Sequence, residues 1–136
     1  PEVVSTMEGV NDQHWDAIHE AMYDVVHASN GTARRINRNL SYKIAGKTGT
    51  AQVVGIKQGA EYDAEALKER HRDHALFVGF APYENPEIAV AIIVENGGSG
   101  SSAAAPVARK LFDAHLLGEY LLDEEERVTA TNGVQP

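Results

Sequence analysis

The sequence contains no cysteine, which excludes a disulfide framework, a thiolate nucleophile and a thiolate metal ligand. It has no apolar run approaching the ~20 residues of a membrane-spanning helix, and no secretory signal peptide follows Pro1. Basic residues are few, because 12 Lys and Arg stand against 20 Asp and Glu, and the formal net charge is −8. This charge argues against nucleic acid as a partner.

Two nucleophile signatures are also missing from the 136 residues. Gly-x-Ser-x-Gly does not occur, and neither does Ser-x-x-Lys. A serine hydroxyl is a weak nucleophile unless a neighbouring base activates it. The sequence therefore offers no serine in a recognisable catalytic context.

The composition, 43% hydrophobic, is sufficient for one domain or part of one. Residues 12–28 have the periodicity of an amphipathic helix. The apolar face of this helix consists of Trp15, Ile18, Met22, Val25 and Val26. Asn11 is expected to cap its start and Asn30-Gly31 to end it. Residues 32–41 are polar and basic and are predicted to form a loop.

Three strands are predicted, at residues 42–56, 75–81 and 88–95, from their β-branched and apolar content. The turn residues of "PYENPE" favour a hairpin between the last two strands. Residues 57–74 are polar and indicate a solvated helix or loop.

A second helix is predicted over about residues 102–117. Its expected apolar face is Val107, Leu111 and Ala114, and Gly118 is expected to end it. Residues 1–118 thus form the structured part, and the acidic and polar tail 119–136 is predicted to be disordered.

Strand 88–95 is apolar on both faces, although it would lie at the edge of a three-stranded meander. Such a strand needs neighbours on both sides. We therefore expect that part of the sheet is supplied by other sequence. The start at Pro1, without an initiator methionine, fits the interior of a longer protein.

Two glycine-containing segments suggest nucleotide binding. Gly46-Lys47-Thr48 fails as a phosphate loop, because Ser41 stands where the first glycine is required and a strand follows instead of a helix. Gly98-x-Gly100-x-x-Ala103 follows a strand and opens a helix, like a dinucleotide fingerprint, yet it lacks the parallel unit of that fold. Small residues that let a helix pack closely on a sheet explain the same pattern. Both interpretations of Gly98–Ala103 stay open.

A metal site is not expected. His71 and His74 are close in sequence with Asp73 between them, but no third ligand has a convincing spacing. The other histidines are scattered, at His14, His19 and His27.

The segment Lys47-Thr48-Gly49-Thr50 has the chemistry of a carboxylate receptor. Lysine supplies positive charge, the two hydroxyls donate directed hydrogen bonds, and glycine leaves the backbone accessible. A surface strand with one lysine explains the same tetrapeptide.

Longer stretches favour the receptor. "WDAIHEAMYDVV", "YKIAGKTGTAQV" and "ERHRDHALFVGFAPYENPEIAVAIIVENGG" resemble the C-terminal end of the class B penicillin-binding transpeptidases, and Lys47-Thr48-Gly49 resembles their third signature. The resemblance covers roughly residues 10–118. It implies an α+β fold of the serine transpeptidase and β-lactamase type, in which antiparallel strands pack against helices and the sheet is incomplete without upstream sequence.

The resemblance also implies a role for each residue of the tetrapeptide. Lys47 would organise the hydrogen bonds of the cleft and attract an anionic substrate. Thr48 and Thr50 would bind the terminal carboxylate of a peptide or of a β-lactam. Gly49 would keep the strand clear for substrate, and the backbone N–H of Thr50 would form half of the oxyanion hole.

The family's nucleophilic Ser-x-x-Lys and its Ser-x-Asn element are absent, so this chain alone would be inactive. The resemblance implies a fragment whose upstream part carries the nucleophile. The intact enzyme would cross-link peptidoglycan stem peptides through a serine acyl-enzyme, without a cofactor or a metal held by this chain. It would bind β-lactam antibiotics and membrane proteins of cell-wall elongation, from the periplasmic side of the inner membrane. A nucleotide-binding domain using Gly98–Ala103 and a non-catalytic interaction module remain as alternatives.

Overall fold

The computed structural model describes residues 9–53 and 71–118 of the chain. The main elements are helix α1 (Asp12–His27), strands β1 (Ala45–Ala51), β2 (His74–Ala81) and β3 (Ile88–Val94), and helix α2 (Ala105–Leu117). A 3-10 turn covers Arg34–Asn37 within the predicted loop, and a π turn covers Gly100–Ala104. The predicted α+β class is confirmed. The end of the predicted strand 42–56, from residue 54, and the predictions for residues 57–70 and for the tail 119–136 lie outside the described residues.

Helix α1 begins and ends where the sequence predicts. The side chain of Asn11 accepts a hydrogen bond of 2.9 Å from the backbone N–H of Gln13, which satisfies one free donor of the first turn. Past the end of the helix, a Cβ on Gly31 would lie 2.5 Å from the carbonyl oxygens of both Asp24 and Val25. The chain can therefore turn back this closely onto α1 only with glycine at this position.

The three described strands form an antiparallel sheet in the order β1-β2-β3. Thr48 lies opposite Phe77, and Phe77 lies opposite Ile92. The predicted hairpin of β2 and β3 is thus confirmed. Because side chains of a strand alternate between two faces, the buried residues of β2 share one face. They are Ala75, Phe77, Gly79 and Ala81.

The core is a single buried cluster to which both helices contribute. Its largest members are Val26 of α1, Ile44 just before β1, Phe77 of β2 and Phe112 of α2, and all four side chains are fully buried. A fully buried aromatic or aliphatic side chain of this size stabilises the fold by about 1.5–3 kcal/mol. The cluster therefore fixes β1 between α1 and the central strand.

The predicted apolar face of α2 is wrong. Val107 and Leu111 are 40% and 44% exposed, whereas Ala105, Ala108 and Phe112 are fully buried. Alanine has a minimal side chain, so the alanine face can approach the sheet closely while Phe112 fills the remaining space. Ala114 is only half-buried. The predicted end of α2 is confirmed, because Gly118 is left-handed, with φ of 66°.

Helix α2 also holds the segment between α1 and β1. The guanidinium of Arg109 donates to Asp113 at 2.7 Å and to the carbonyls of Ile36 at 2.6 Å and Arg38 at 3.2 Å. The hydroxyl of Tyr42 donates to Asp113 at 2.7 Å. Burial and the adjacent Asp113 carboxylate raise the pKa of Tyr42, so this donor stays protonated. This hydrogen-bond network connects α2 to the segment between α1 and β1.

Both outer strands of the described sheet have a strand neighbour on one side only. Along β3 every second residue is exposed, and Ile93 is 66% exposed. An apolar strand with an uncovered face and an open edge is a surface for further chain. The described part of the fold therefore agrees with the prediction that the sheet is incomplete.

Candidate active site

The four predicted site residues are consecutive on the outer strand β1. Lys47 and Thr50 are exposed, and Thr48 and Gly49 are half-buried. The fold brings this stretch together with two other segments around a pocket of about 360 Å³. The lining residues are Thr32, Lys47, Thr48, Gly49, Thr50, Ser99, Gly100 and Ser101.

The lining of this pocket is suited to an anion. The described residues that line it carry one ammonium group, five hydroxyls and no carboxylate. Ammonium groups and hydroxyls can all donate hydrogen bonds, and bonds to a charged acceptor are about twice as strong as neutral ones. The volume is near the lower limit of small-molecule sites, about 300–1,000 Å³. The pocket can therefore hold a carboxylate on a small substrate.

Lys47 and Thr48 are linked to each other and to the loop after α1. The Nζ atom of Lys47 donates to the carbonyl oxygen of Thr48 at 2.7 Å. The Oγ1 atom of Thr48 lies 2.9 Å from the Oγ1 atom of Thr32. These contacts place the ammonium group and a hydroxyl pair on the same wall.

The π turn forms the other wall. Ser99 and Ser101 share a hydrogen bond of 2.9 Å between their Oγ atoms. Gly100 between them is buried against β1, where an added Cβ would lie 2.6 Å from the carbonyl oxygen of Gly49. This glycine is needed because two backbones meet there.

This packing decides between the two interpretations of Gly98–Ala103. The segment links the last strand of an antiparallel sheet to α2, and its Gly100 packs onto that sheet. A dinucleotide fingerprint requires a parallel unit and a free glycine-rich turn. Nucleotide binding by this segment is therefore not favoured.

Three pocket hydroxyls were not predicted as site residues from the sequence. Thr32 comes to Thr48 from a loop that the sequence marks only as the end of a helix. Ser99 and Ser101 belong to a small-residue stretch typical of any tight turn. Their approach to β1 depends on tertiary packing, and no local pattern signals it.

Side chains of the predicted histidine cluster near β2 accept hydrogen bonds from the backbone of other segments. His74 accepts a hydrogen bond of 2.9 Å at Nδ1 from the backbone N–H of Asn96. Asp73 accepts one of 3.2 Å from the backbone N–H of Val53. Across residues 9–53 and 71–118, no group of three His, Asp or Glu side chains could hold a metal ion.

A family model matches most of the chain. The model described as the penicillin-binding protein transpeptidase domain matches residues 3–113. The chain belongs to this family. The resemblance expected from the sequence is confirmed, and so is the transpeptidase fold class.

Among individual penicillin-binding proteins, the chain is 55% identical over 106 residues to the peptidoglycan D,D-transpeptidase MrdA of Acinetobacter baumannii. This match covers 78% of the chain and 15% of that relative. The chain thus spans less than a fifth of the length of this curated relative.

Solved structures of penicillin-binding protein 2 have the same fold. The Pseudomonas aeruginosa protein, in complex with WCK 5153, superposes with a TM-score of 0.67 at 45% identity, over 93% of this chain and 26% of that one. The Helicobacter pylori protein, in complex with MreC, gives 0.65 at 30% identity, over 82% and 19%.

Proposed function

We propose that the chain forms one wall of the active site of a peptidoglycan D,D-transpeptidase. The intact enzyme cross-links stem peptides through a serine acyl-enzyme. The observation that carries the proposal is the pocket in which Lys47-Thr48-Gly49-Thr50 faces Ser99 and Ser101. Membership of the penicillin-binding transpeptidase family and the similarity to MrdA support the reaction.

The pocket chemistry suggests how this wall acts. The donor peptide of the reaction ends in a carboxylate, which Lys47 attracts and Thr48 and Thr50 hold with hydroxyl donors. Gly49 leaves room for the substrate backbone beside the strand. The backbone N–H of Thr50 donates to the oxyanion that develops when the nucleophile attacks. Lys47 and Thr50 thus contribute to catalysis, and the whole tetrapeptide contributes to substrate binding.

The nucleophile is proposed to come from outside these 136 residues. Ser99 and Ser101 are serines in the pocket, but their hydroxyls bond to each other. Within the described residues, no hydrogen bond joins either hydroxyl to a basic side chain. A serine without a base is a poor nucleophile, so an upstream Ser-x-x-Lys is the better candidate. The reaction needs no cofactor.

Partners and location follow from the same assignment. The pocket that holds a peptide carboxylate also accepts a β-lactam, in keeping with the family's description as penicillin-binding. The complex of the Helicobacter pylori relative with MreC supports an elongation protein as a partner. We place the enzyme on the periplasmic side of the inner membrane. Neither described helix has the length and apolar character to span a membrane.

Lys47→Ala in the intact protein tests the assignment. We expect the second-order rate of acylation by a fluorescent penicillin to fall by the equivalent of about 2–4 kcal/mol, because one strong electrostatic element of the site is lost. Lys47→Arg should recover only part of the rate, since a planar guanidinium does not replace a compact ammonium.

Lys43→Ala is the matched control. Lys43 is exposed, lies four residues earlier and pairs with Glu84 at 2.8 Å, away from the pocket residues. Its loss should leave acylation unchanged. If the parent protein is not acylated after prolonged exposure to penicillin, that result would instead support a non-catalytic interaction module.

A further inference from the structure

Thr32 is a pocket residue that belongs to none of the four predicted positions. Its Oγ1 atom lies 2.9 Å from the Oγ1 atom of Thr48, although 16 positions separate the two residues in the chain. It also lines the pocket beside Lys47. The contact crosses from the loop after α1 to strand β1, so it depends on how rigidly that loop is held.

The loop around Thr32 is fixed on both sides. Before it, Gly31 donates to the carbonyl of Ala28 at 2.9 Å, at the position where only glycine fits against α1. After it, the backbone N–H of Ala33 donates to the carbonyl of Val25 at 2.9 Å, and Ala33 is fully buried. The hydroxyl of Thr32 is therefore presented to Thr48 from a constrained backbone.

A bound ligand determines which hydroxyl, that of Thr32 or that of Thr48, donates the hydrogen bond between them. Either hydroxyl can be the donor in the free pocket. A carboxylate only accepts hydrogen bonds. When Thr48 donates its single proton to a carboxylate, its oxygen is left to accept, and Thr32 becomes the donor to it. Thr32 then fixes both the rotamer of Thr48 and the direction of its proton.

We propose that Thr32 is a positioning residue that orients the Thr48 hydroxyl toward the substrate carboxylate. The inference rests on the proposed function, since it assumes that Thr48 binds this carboxylate. Preorganised donors are more effective than donors that must first reorient. Thr32 itself acts through Thr48 and does not have to touch the substrate.

Thr32→Val in the intact protein is the direct test, because a methyl group replaces the hydroxyl at nearly constant volume. We expect the second-order acylation rate with a fluorescent penicillin to fall about 3- to 10-fold, the equivalent of one hydrogen bond. Thr32→Ser should restore the rate. Thr32→Ala is the second hydroxyl-free variant, and it should show the same loss if valine disturbs folding.

Two further measurements separate positioning from a structural role. When Thr48→Val is already present, adding Thr32→Val should lower the acylation rate by less than about a further twofold, because the effects of coupled residues are not additive. With the methyl ester of the same penicillin, the Thr32→Val penalty should shrink to about twofold or less, because the charged acceptor is gone. Ser41→Ala removes a hydroxyl from the same connecting segment outside the pocket and should have no effect.

The positioning role would be overturned if Thr32→Val lowered the acylation rate equally for the penicillin acid and its methyl ester. It would also be overturned if the losses of rate from Thr32→Val and Thr48→Val were fully additive. Neither result would affect the transpeptidase assignment. Failure of the parent protein to be acylated at all would overturn the proposed function itself. The two failures are thus distinguishable by the behaviour of the parent.

Discussion

Gly49 and Gly100 meet where the π turn packs on β1, but the two positions have different tolerances. A Cβ on Gly49 would lie 3.3 Å from the Cβ of Leu76, a tight contact that a small shift can relieve. A Cβ on Gly100 would lie 2.6 Å from the carbonyl oxygen of Gly49, and a backbone atom cannot move away as a side chain can. Gly100 is therefore a position of packing, whereas the proposed function makes Gly49 a position of access.

Alanine at each glycine should separate these roles in the intact protein. Gly49→Ala should lower the acylation rate while costing less than about 1 kcal/mol of stability, because strand backbone accepts alanine and only Leu76 must adjust. Gly100→Ala should cost about 1–3 kcal/mol, as overpacking does. Fluorescent penicillin acylation and thermal melting measure the two effects. A larger loss of stability in Gly49→Ala than in Gly100→Ala would contradict this assignment.

At the scale of the element, the sequence predicts what local chemistry determines. Helix α1 begins after Asn11 because the cap is local, and β2 and β3 form a hairpin because the turn between them is short. The buried face of α2 could not be predicted in this way. The larger aliphatic side chains, Val107 and Leu111, indicate one face, but the close approach of the helix to the sheet selects the alanine face.

The same distinction applies to the pocket. The wall formed by β1 can be predicted from Lys47-Thr48-Gly49-Thr50, because all the functional groups of this wall belong to one strand. The hydroxyls of Thr32, Ser99 and Ser101 reach it from other segments. Their positions follow from the register of the sheet and the packing of the π turn, which no sequence window contains.

The junction of α1 and β1 contains a pH-sensitive contact. His27 stacks on Tyr23 with ring centroids 4.2 Å apart, and its Nε2 atom accepts a hydrogen bond of 3.2 Å from the backbone N–H of Ile44. Burial lowers the pKa of His27 below its ordinary value, with a smaller contribution from Lys43. Protonation would add charge and remove the acceptor.

The stability of the intact protein should therefore fall as the pH drops. Because the folded pKa of His27 is below the unfolded value of about 6.5, the unfolded state binds the proton first. The contribution of His27 is complete above about pH 6.5 and is lost as the pH falls through the folded pKa. We expect the melting temperature of His27→Gln to depend less on pH between about 7 and 5.

His115→Gln is the control for this measurement, because His115 is an exposed imidazole on α2. It should keep the slope of the parent protein. If the melting temperature changes equally with pH in the parent protein and in His27→Gln, the contact between α1 and β1 is not the origin of the pH dependence.

At the scale of the whole molecule, the described surface exposes several large apolar side chains outside the pocket. Ile93 of β3 is 66% exposed, Ile18 of α1 is 50% exposed, and Val78 of β2 is 47% exposed. The outer edge of β3 also has no described strand neighbour. Such surfaces are covered by other chain in stable proteins.

The isolated 136-residue chain should therefore not unfold cooperatively as a monomer. We expect a broad thermal transition by circular dichroism and association in sedimentation experiments. Co-expression with the remainder of the enzyme should give a stable non-covalent complex. A sharp transition of a monomeric 136-residue chain would show that the open edge of β3 needs no cover.

The pocket is assembled from the loop after α1, strand β1 and the π turn, and these segments are far apart along the chain. Contacts of long sequence separation form only after the entropy of closing large loops has been overcome. The pairing of Thr32 with Thr48 and the seating of Gly100 on Gly49 are both contacts of this kind. A folding intermediate with formed helices would thus lack the pocket proposed to bind a carboxylate. Labelling of the intact protein by penicillin during refolding would follow completion of the fold, not the appearance of helix.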